Sequence, residues 1–222
     1  MSDFATARQK MVDGQVHPSD VTDIRILDAM LAVPREAFIP QNLRALAYLD
    51  LDLDISDGTS GKRFLIKPVV VAKMLQAAEI KATDHVLVAG CATGYTAALV
   101  ARLAAQVTAT EPDPTEAAKA KDVLAQLELK NVVFRPLAAA HGDPASGPYD
   151  VVVLDGATEV TPDRLYQQLK DGGRLVGVFA LTKPPRAMIV TRSHGTDFGS
   201  RALFDAVVPV LPGLERLPEF VF

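Results

Sequence analysis

The apolar positions change rhythm along the chain. In residues 19–33, SDVTDIRILDAMLAV, Ile24, Leu27, Met30 and Leu31 recur at helical spacing behind Ser19 or Asp20 as N-cap, and Pro34 ends the helix. Residues 1–15 are polar and read as loose or helical, while residues 36–68 have no clear period and hold the loop-like SDGTSGK at 56–62. Residues 69–79 return to helix, with Val70, Met74, Leu75 and Ala78 on one side. From residue 85 short apolar runs alternate with helical stretches: HVLVAG, QVTATE, NVVFRP, YDVVVLDG and GGRLVGVFA as strands, and TAALVARLAA, PTEAAKAKDVLAQL and TPDRLYQQLK as helices. Pro114 near the start of the second of these helices costs little, because the first-turn N–H has no partner anyway.

This alternation predicts an α/β fold, a doubly wound and mostly parallel sheet with a helical N-terminal extension. The last two apolar runs, RAMIVTR and ALFDAVVPV, have no helix between them and predict an antiparallel hairpin at the sheet edge. The expected organisation is one domain over residues 1–222, with 1–80 as the extension and 81–222 as the core.

Composition narrows the picture. A chain of 222 residues with 49% hydrophobic and 23% charged residues suits one sizeable soluble domain. No apolar run reaches membrane-spanning length, and MSDFATARQKMVDGQ has no apolar core after its charges, so neither a membrane anchor nor a secretory signal is expected. Cys91 is the single cysteine, which rules out an intrachain disulfide and fits a cytoplasmic protein. His17, His85, His141 and His194 are too dispersed to suggest a metal site. A net charge of −4 argues against a broad nucleic-acid footprint, leaving only a local basic group at Lys62, Arg63 and Lys67.

Candidate chemistry centres on Val86-Leu87-Val88-Ala89-Gly90-Cys91-Ala92-Thr93-Gly94-Tyr95, a buried strand turning sharply into a helix. Gly90 lets the backbone turn and Gly94 removes side-chain bulk where a ligand or the next helix comes close. Glu111, followed by Pro112, ends the next strand, at roughly the 20-residue offset of a carboxylate that accepts from both ribose hydroxyls of a nucleotide. A dinucleotide fingerprint needs G-x-G-x-x-G, and here Ala92 stands at the second glycine, which disfavours close approach of a pyrophosphate. S-adenosylmethionine has no phosphate and needs space and backbone contacts instead.

The segment VLVAGCATGYTAALVARLAAQVTATE resembles the cofactor-binding stretch of the protein-L-isoaspartate O-methyltransferases, a family of the S-adenosylmethionine-dependent methyltransferase superfamily. Upstream, IRILDAMLAVPREAFIP is similar to that family's N-terminal helix and its Val-Pro-Arg-Glu signature, and Ala47-Tyr48 and Leu53 continue the likeness. Downstream, PYDVVVLDGATEVTPDRLYQQLKDGGRLVGVF matches its fourth strand, helix and fifth strand in order. The resemblance implies methyl transfer from the sulfonium to an isoaspartyl carboxylate in a damaged protein or peptide. That acceptor is already ionised at neutral pH, so alignment and desolvation matter more than a strong base. It implies a cofactor site made of Gly90, Cys91, Ala92, Thr93, Gly94, Tyr95, Glu111, Pro112, Leu137, Ala138 and Asp155, and no metal.

Two departures from the family pattern stand out. Where the family shows Gly-Gln-Thr-Ile-Ser-Gln-Pro, this chain reads Arg63-Phe64-Leu65-Ile66-Lys67-Pro68, so Phe64 and Ile66 replace two hydroxyl residues at the methyl-transfer site. Thr59 and Ser60 are the candidates to replace the hydroxyl, and Asp155, at the end of the fourth strand, is a candidate to face the methyl donor or the acceptor. Where the family has Gly-Asp-Gly after the third strand, this chain reads Arg135-Pro136-Leu137-Ala138-Ala139-Ala140 with no acid, leaving backbone groups of Leu137 or Ala138 to hold adenine. Three readings stay open: a carboxylate methyltransferase, a methyltransferase-like binding protein with another acceptor or no turnover, and a nicotinamide-dependent oxidoreductase. Oligomeric state is not legible in this sequence.

Overall fold

A computed structural model describes residues 3–56 and 62–217. The chain opens with α1 (Phe4–Met11), capped by the Asp3 carboxylate, and runs on through a wider turn at Val12–Val16. The next helix, α2 (Ile24–Ala32), starts later than its periodicity suggests. Asp20 takes a left-handed conformation and ends a short turn, so the N-cap passes to Asp23, whose carboxylate accepts from the Arg25 N–H. Two short 3-10 turns follow, at Arg35–Phe38 and Gln41–Leu46.

The stretch without a period contains one small antiparallel hairpin, β1 (Leu53–Asp54) with β2 (Phe64–Leu65), in which Leu53 faces Leu65 and Asp54 faces Phe64. Strands of two residues are too short to show an alternation, which is why this pairing is invisible in the pattern. Helix α3 (Pro68–Ala78) then leads into the main sheet.

The main sheet consists of β3 (His85–Ala89), β4 (Gln106–Thr110), β5 (Val132–Arg135), β6 (Tyr149–Thr158), β7 (Leu169–Phe179), β8 (Arg186–His194) and β9 (Asp197–Asp205). Their order is β5-β4-β3-β6-β7-β8-β9, parallel from β5 to β7 and antiparallel from β7 to β9. Helix α4 (Tyr95–Ala101) joins β3 to β4, and α5 (Pro114–Gln126), capped by Asp113, joins β4 to β5. The strand order reverses between β3 and β6, and that switch point is where a crevice opens beyond the strand ends.

Alternation along the central strands sorts their side chains into two cores. Val86 and Val88 of β3 and Val151 and Val153 of β6 join α1 to α5 on one face. Leu87, Ala89, Val152 and Leu154 face the other side, with Tyr149, Leu165, Leu211 and Leu214. That second face carries a single short helix, α6 (Asp163–Tyr166), where residues 161–170 read as a longer one. Leu169 is already paired with Tyr149 in the sheet, so the demand of β6 for a neighbour overrides local helix propensity. The C-terminal hairpin forms as expected but is displaced. Residues 206–210 leave β9 and cross back over the sheet, with the Ala157 N–H donating to Pro209 O at 2.8 Å and the Leu211 N–H donating to Ala157 O at 2.9 Å. Among the described residues no helix is long and apolar enough to cross a membrane.

Candidate active site

Three elements meet at the switch point. The loop after β3 is tied to the end of β4, because the N–H groups of Gly90 and Cys91 both donate to Thr110 O, at 3.2 and 3.1 Å. Gly90 and Gly94 have positive φ, 76° and 92°. A side chain at Gly90 would collide with Leu211, whose Cδ2 lies 2.5 Å from the place of a Cβ, so this glycine serves close packing as well as the turn.

The loop residues divide into two groups. Gly90 lines two small voids at the sheet end, and Ala92 lines one of them. Cys91 is fully buried, and burial beside Glu111 and Asp155 pushes its thiol well above the usual range, which makes it a packing residue. Thr93 turns away, donating its hydroxyl to Phe38 O at 2.7 Å. Tyr95 is buried between Phe38, at a ring separation of 5.7 Å, and the guanidinium of Arg35, 4.7 Å from its ring centroid. Arg35, fully buried, donates to Ala47 O and Ile66 O at 2.9 Å each. The Val-Pro-Arg-Glu segment therefore braces the glycine loop from behind.

Glu111 is 1% exposed at the end of β4, with the Asp113 N–H donating to its Oε1 at 3.0 Å. Together with Pro112, Ala138 and Ala139 it lines a void of about 40 Å³. Leu137, in contrast, lines a separate hollow near His141 and Gln168. On the other side of Gly90 a second void, about 20 Å³, is lined by Phe64, Ile66, Ala92 and Asp155. Asp155 Oδ1 accepts from the Thr96 hydroxyl at 2.8 Å, while Oδ2 is buried and accepts from nothing among the described residues. Burial pushes this carboxyl up to about 7, against the opposing pull of Thr96 and Arg35.

Thr59 and Ser60 lie outside the described residues. The basic group is dispersed by its partners: Lys67 donates to Val207 O at 3.0 Å and sits 3.7 Å from Asp52, and Arg63 turns inward to Glu111, with Nε 3.1 Å from Oε1. Pattern reasoning missed Arg63, Leu211 and Pro212 as walls of the site, since their contacts join positions far apart in sequence.

An open sheet of this order, with a glycine loop at the switch point and a buried carboxylate ending the adjacent strand, is the Rossmann-like methyltransferase fold. A family model described as Protein-L-isoaspartate(D-aspartate) O-methyltransferase matches residues 6–197, and the chain belongs to that family. Membership makes it an S-adenosylmethionine-dependent O-methyltransferase. It is 37% identical over 210 residues to protein-L-isoaspartate O-methyltransferase 1 of Rhodopseudomonas palustris (strain HaA2), covering 94% of this chain and 84% of the relative. It is 33% identical over 222 residues to protein-L-isoaspartate O-methyltransferase of Roseiflexus sp. (strain RS-1), covering 98% and 99%. Among solved structures, a protein-L-isoaspartate O-methyltransferase superposes with a TM-score of 0.81 at 23% identity, covering 93% of this chain and 66% of that one. A putative enzyme of that name from Plasmodium falciparum, in complex with S-adenosyl-L-homocysteine, superposes with a TM-score of 0.75 at 16% identity, covering 92% and 97%. These two likenesses establish the shared fold.

Proposed function

We propose that the chain methylates a carboxylate of a damaged protein or peptide, with an isoaspartyl side chain as acceptor. The observation that carries this is the pair of voids flanking Gly90, one holding Glu111 and the other Asp155. A buried carboxylate at the end of β4 suits the ribose hydroxyls of the cofactor, and the orphaned Oδ2 of Asp155 suits its cationic amino-acid end. The residues present thus fit S-adenosylmethionine, which supplies an electrophilic methyl group on a sulfonium.

Within that reading Gly90 and Ala92 offer backbone, Pro112, Ala138 and Ala139 form the walls for the adenine end, and Phe64 and Ile66 keep water from the acceptor side. Because a carboxylate acceptor is nucleophilic without deprotonation, loss of hydroxyl side chains at positions 64 and 66 leaves the basic requirement, alignment in a dry site, intact. The bound acceptor would be a peptide segment; the net charge of −4 supports neither nucleic acid nor an anionic membrane surface as partner. The single free cysteine supports work in the cytoplasm.

A second reading, another acceptor or binding without turnover, draws on Phe64, Ile66 and the acid at Asp155, which together make the acceptor side apolar and negative. The two separate in one assay: methyl transfer to an isoaspartyl peptide beside its ordinary aspartyl counterpart, with and without S-adenosylhomocysteine. The proposal expects a base-labile methyl ester on the isoaspartyl peptide alone, suppressed by the inhibitor. Saturable cofactor binding with no ester on either peptide would favour the second reading.

A further inference from the structure

We propose that Arg63 is a latch on the cofactor site: its guanidinium holds the Glu111 carboxylate in the free protein, and the cofactor enters only when that side chain swings out. The inference rests on the reading of Glu111 as the ribose-binding residue. Oε1 of Glu111 already accepts from Arg63 Nε at 3.1 Å and from the Asp113 N–H at 3.0 Å. Each carboxylate oxygen has about two lone-pair sites, so Oε1 is filled and only Oε2 is left for a ribose diol that brings two hydroxyls. The pair is sheltered, with Arg63 12% and Glu111 1% exposed, so water and salt do little to loosen it.

Space points the same way. Sites for cofactor-sized ligands run to roughly 300–1,000 Å³. The voids beside Gly90 hold only about 40 and 20 Å³, and Arg63 lines both of them. The opposite wall is Leu211, which packs close on Gly90 and Gly156 and whose N–H is bonded to Ala157 O. Arg63 is the wall built to move. Its backbone is pinned, by Ile55 N–H to Arg63 O at 2.9 Å and by Arg63 N–H to Ser56 Oγ at 2.8 Å, so opening is a rotation of a long side chain about a fixed backbone. Closed, the latch neutralises a buried acid that would otherwise stand unpaired.

The place of Arg63 is glutamine in the family pattern set out above, which makes Arg63→Gln the informative variant. A cofactor that must wait for a minor open form binds more weakly by the fraction of open protein, so removing the latch should tighten binding about tenfold. The experiment measures S-adenosylmethionine affinity by calorimetry and its association rate by rapid mixing, for the wild type, Arg63→Gln and Arg63→Lys, with circular dichroism to confirm folding. The expected result is tighter binding in Arg63→Gln, gained mainly in the association rate, with Arg63→Lys in between. The wild type alone provides a second readout, since its observed association rate should level off with rising cofactor at the rate of latch opening. Equal or weaker binding by Arg63→Gln, or a wild-type rate that rises without limit, overturns the latch and leaves the cofactor reading standing. No binding by either protein removes the cofactor reading, and the latch with it.

Discussion

Replacing Asp155 by Asn should stabilise the protein, and the gain should grow with pH. Asp155 lies within β6, just past its pairing with β3, and is 3% exposed, and its carboxyl is raised from 3.8 to about 7 by desolvation. Between those values the folded state holds a proton that the unfolded state has released, so wild-type stability falls as pH rises through this window and levels off above it. Each pKa unit corresponds to about 1.4 kcal/mol, so ionised Asp155 costs the fold roughly 4 kcal/mol in all. The amide carries no such cost, but it weakens the bond from the Thr96 hydroxyl, worth about 1 kcal/mol. Near pH 5 the two proteins should therefore be almost equally stable, and near pH 8 Asp155→Asn should lead by about 2–3 kcal/mol. Urea unfolding at a series of pH values measures this, and other titrating groups cancel in the difference. A stability difference that does not change from pH 5 to pH 8 would refute the buried, half-satisfied state of Asp155. The same titration couples to the proposed role: a cationic ligand beside Oδ2 restores the charge, so cofactor affinity should rise with pH up to about 7 in the wild type and stay flat in the variant.

Two further predictions concern the frame of the site. Arg35→Leu strips the donors from Ala47 O and Ile66 O in a fully buried setting and should cost about 3 kcal/mol, read by denaturant unfolding; a loss under half that size would mean water replaces the guanidinium. Gly173→Ala would put a Cβ 2.8 Å from Lys170 O and 2.9 Å from Tyr149 O, both backbone atoms at the irregular pairing of β6 and β7, and should destabilise by about 3 kcal/mol. An unchanged midpoint in thermal unfolding would show that this bulge relaxes freely.

Much of the frame was legible in the residues. Strands β3 and β4 and helices α3 and α5 fall where their apolar runs, Pro68, Pro114 and their flanking loops put them, because local preference and tertiary demand agree there. Where the two disagree, the pattern fails. TPDRLYQQLK has helical periodicity, yet Leu169 is taken by the sheet. The exposed start of β9, DFGSR, lacks the apolar alternation of a strand and is held by pairing to β8, while the apolar AVVPV beyond it peels away to Ala157. In the site, the glycine loop and Glu111 stood out through their spacing. The side chains of Tyr95 and Thr93, next to the glycines, contact Arg35 and Phe38, and Arg63 read only as part of a local basic group because its partner lies across the fold.

The most direct measurement is a calorimetric titration with S-adenosylmethionine of Arg63→Gln and of the same variant carrying Glu111→Gln as well, so that the Arg63–Glu111 pair is absent from both. The account predicts one saturable site in Arg63→Gln, weakened by roughly ten- to a hundredfold when the Glu111 carboxylate loses its charge and one acceptor oxygen. Equal affinity in the two proteins, or no binding in either, would contradict the assignment of this switch-point crevice as the methyl-donor site.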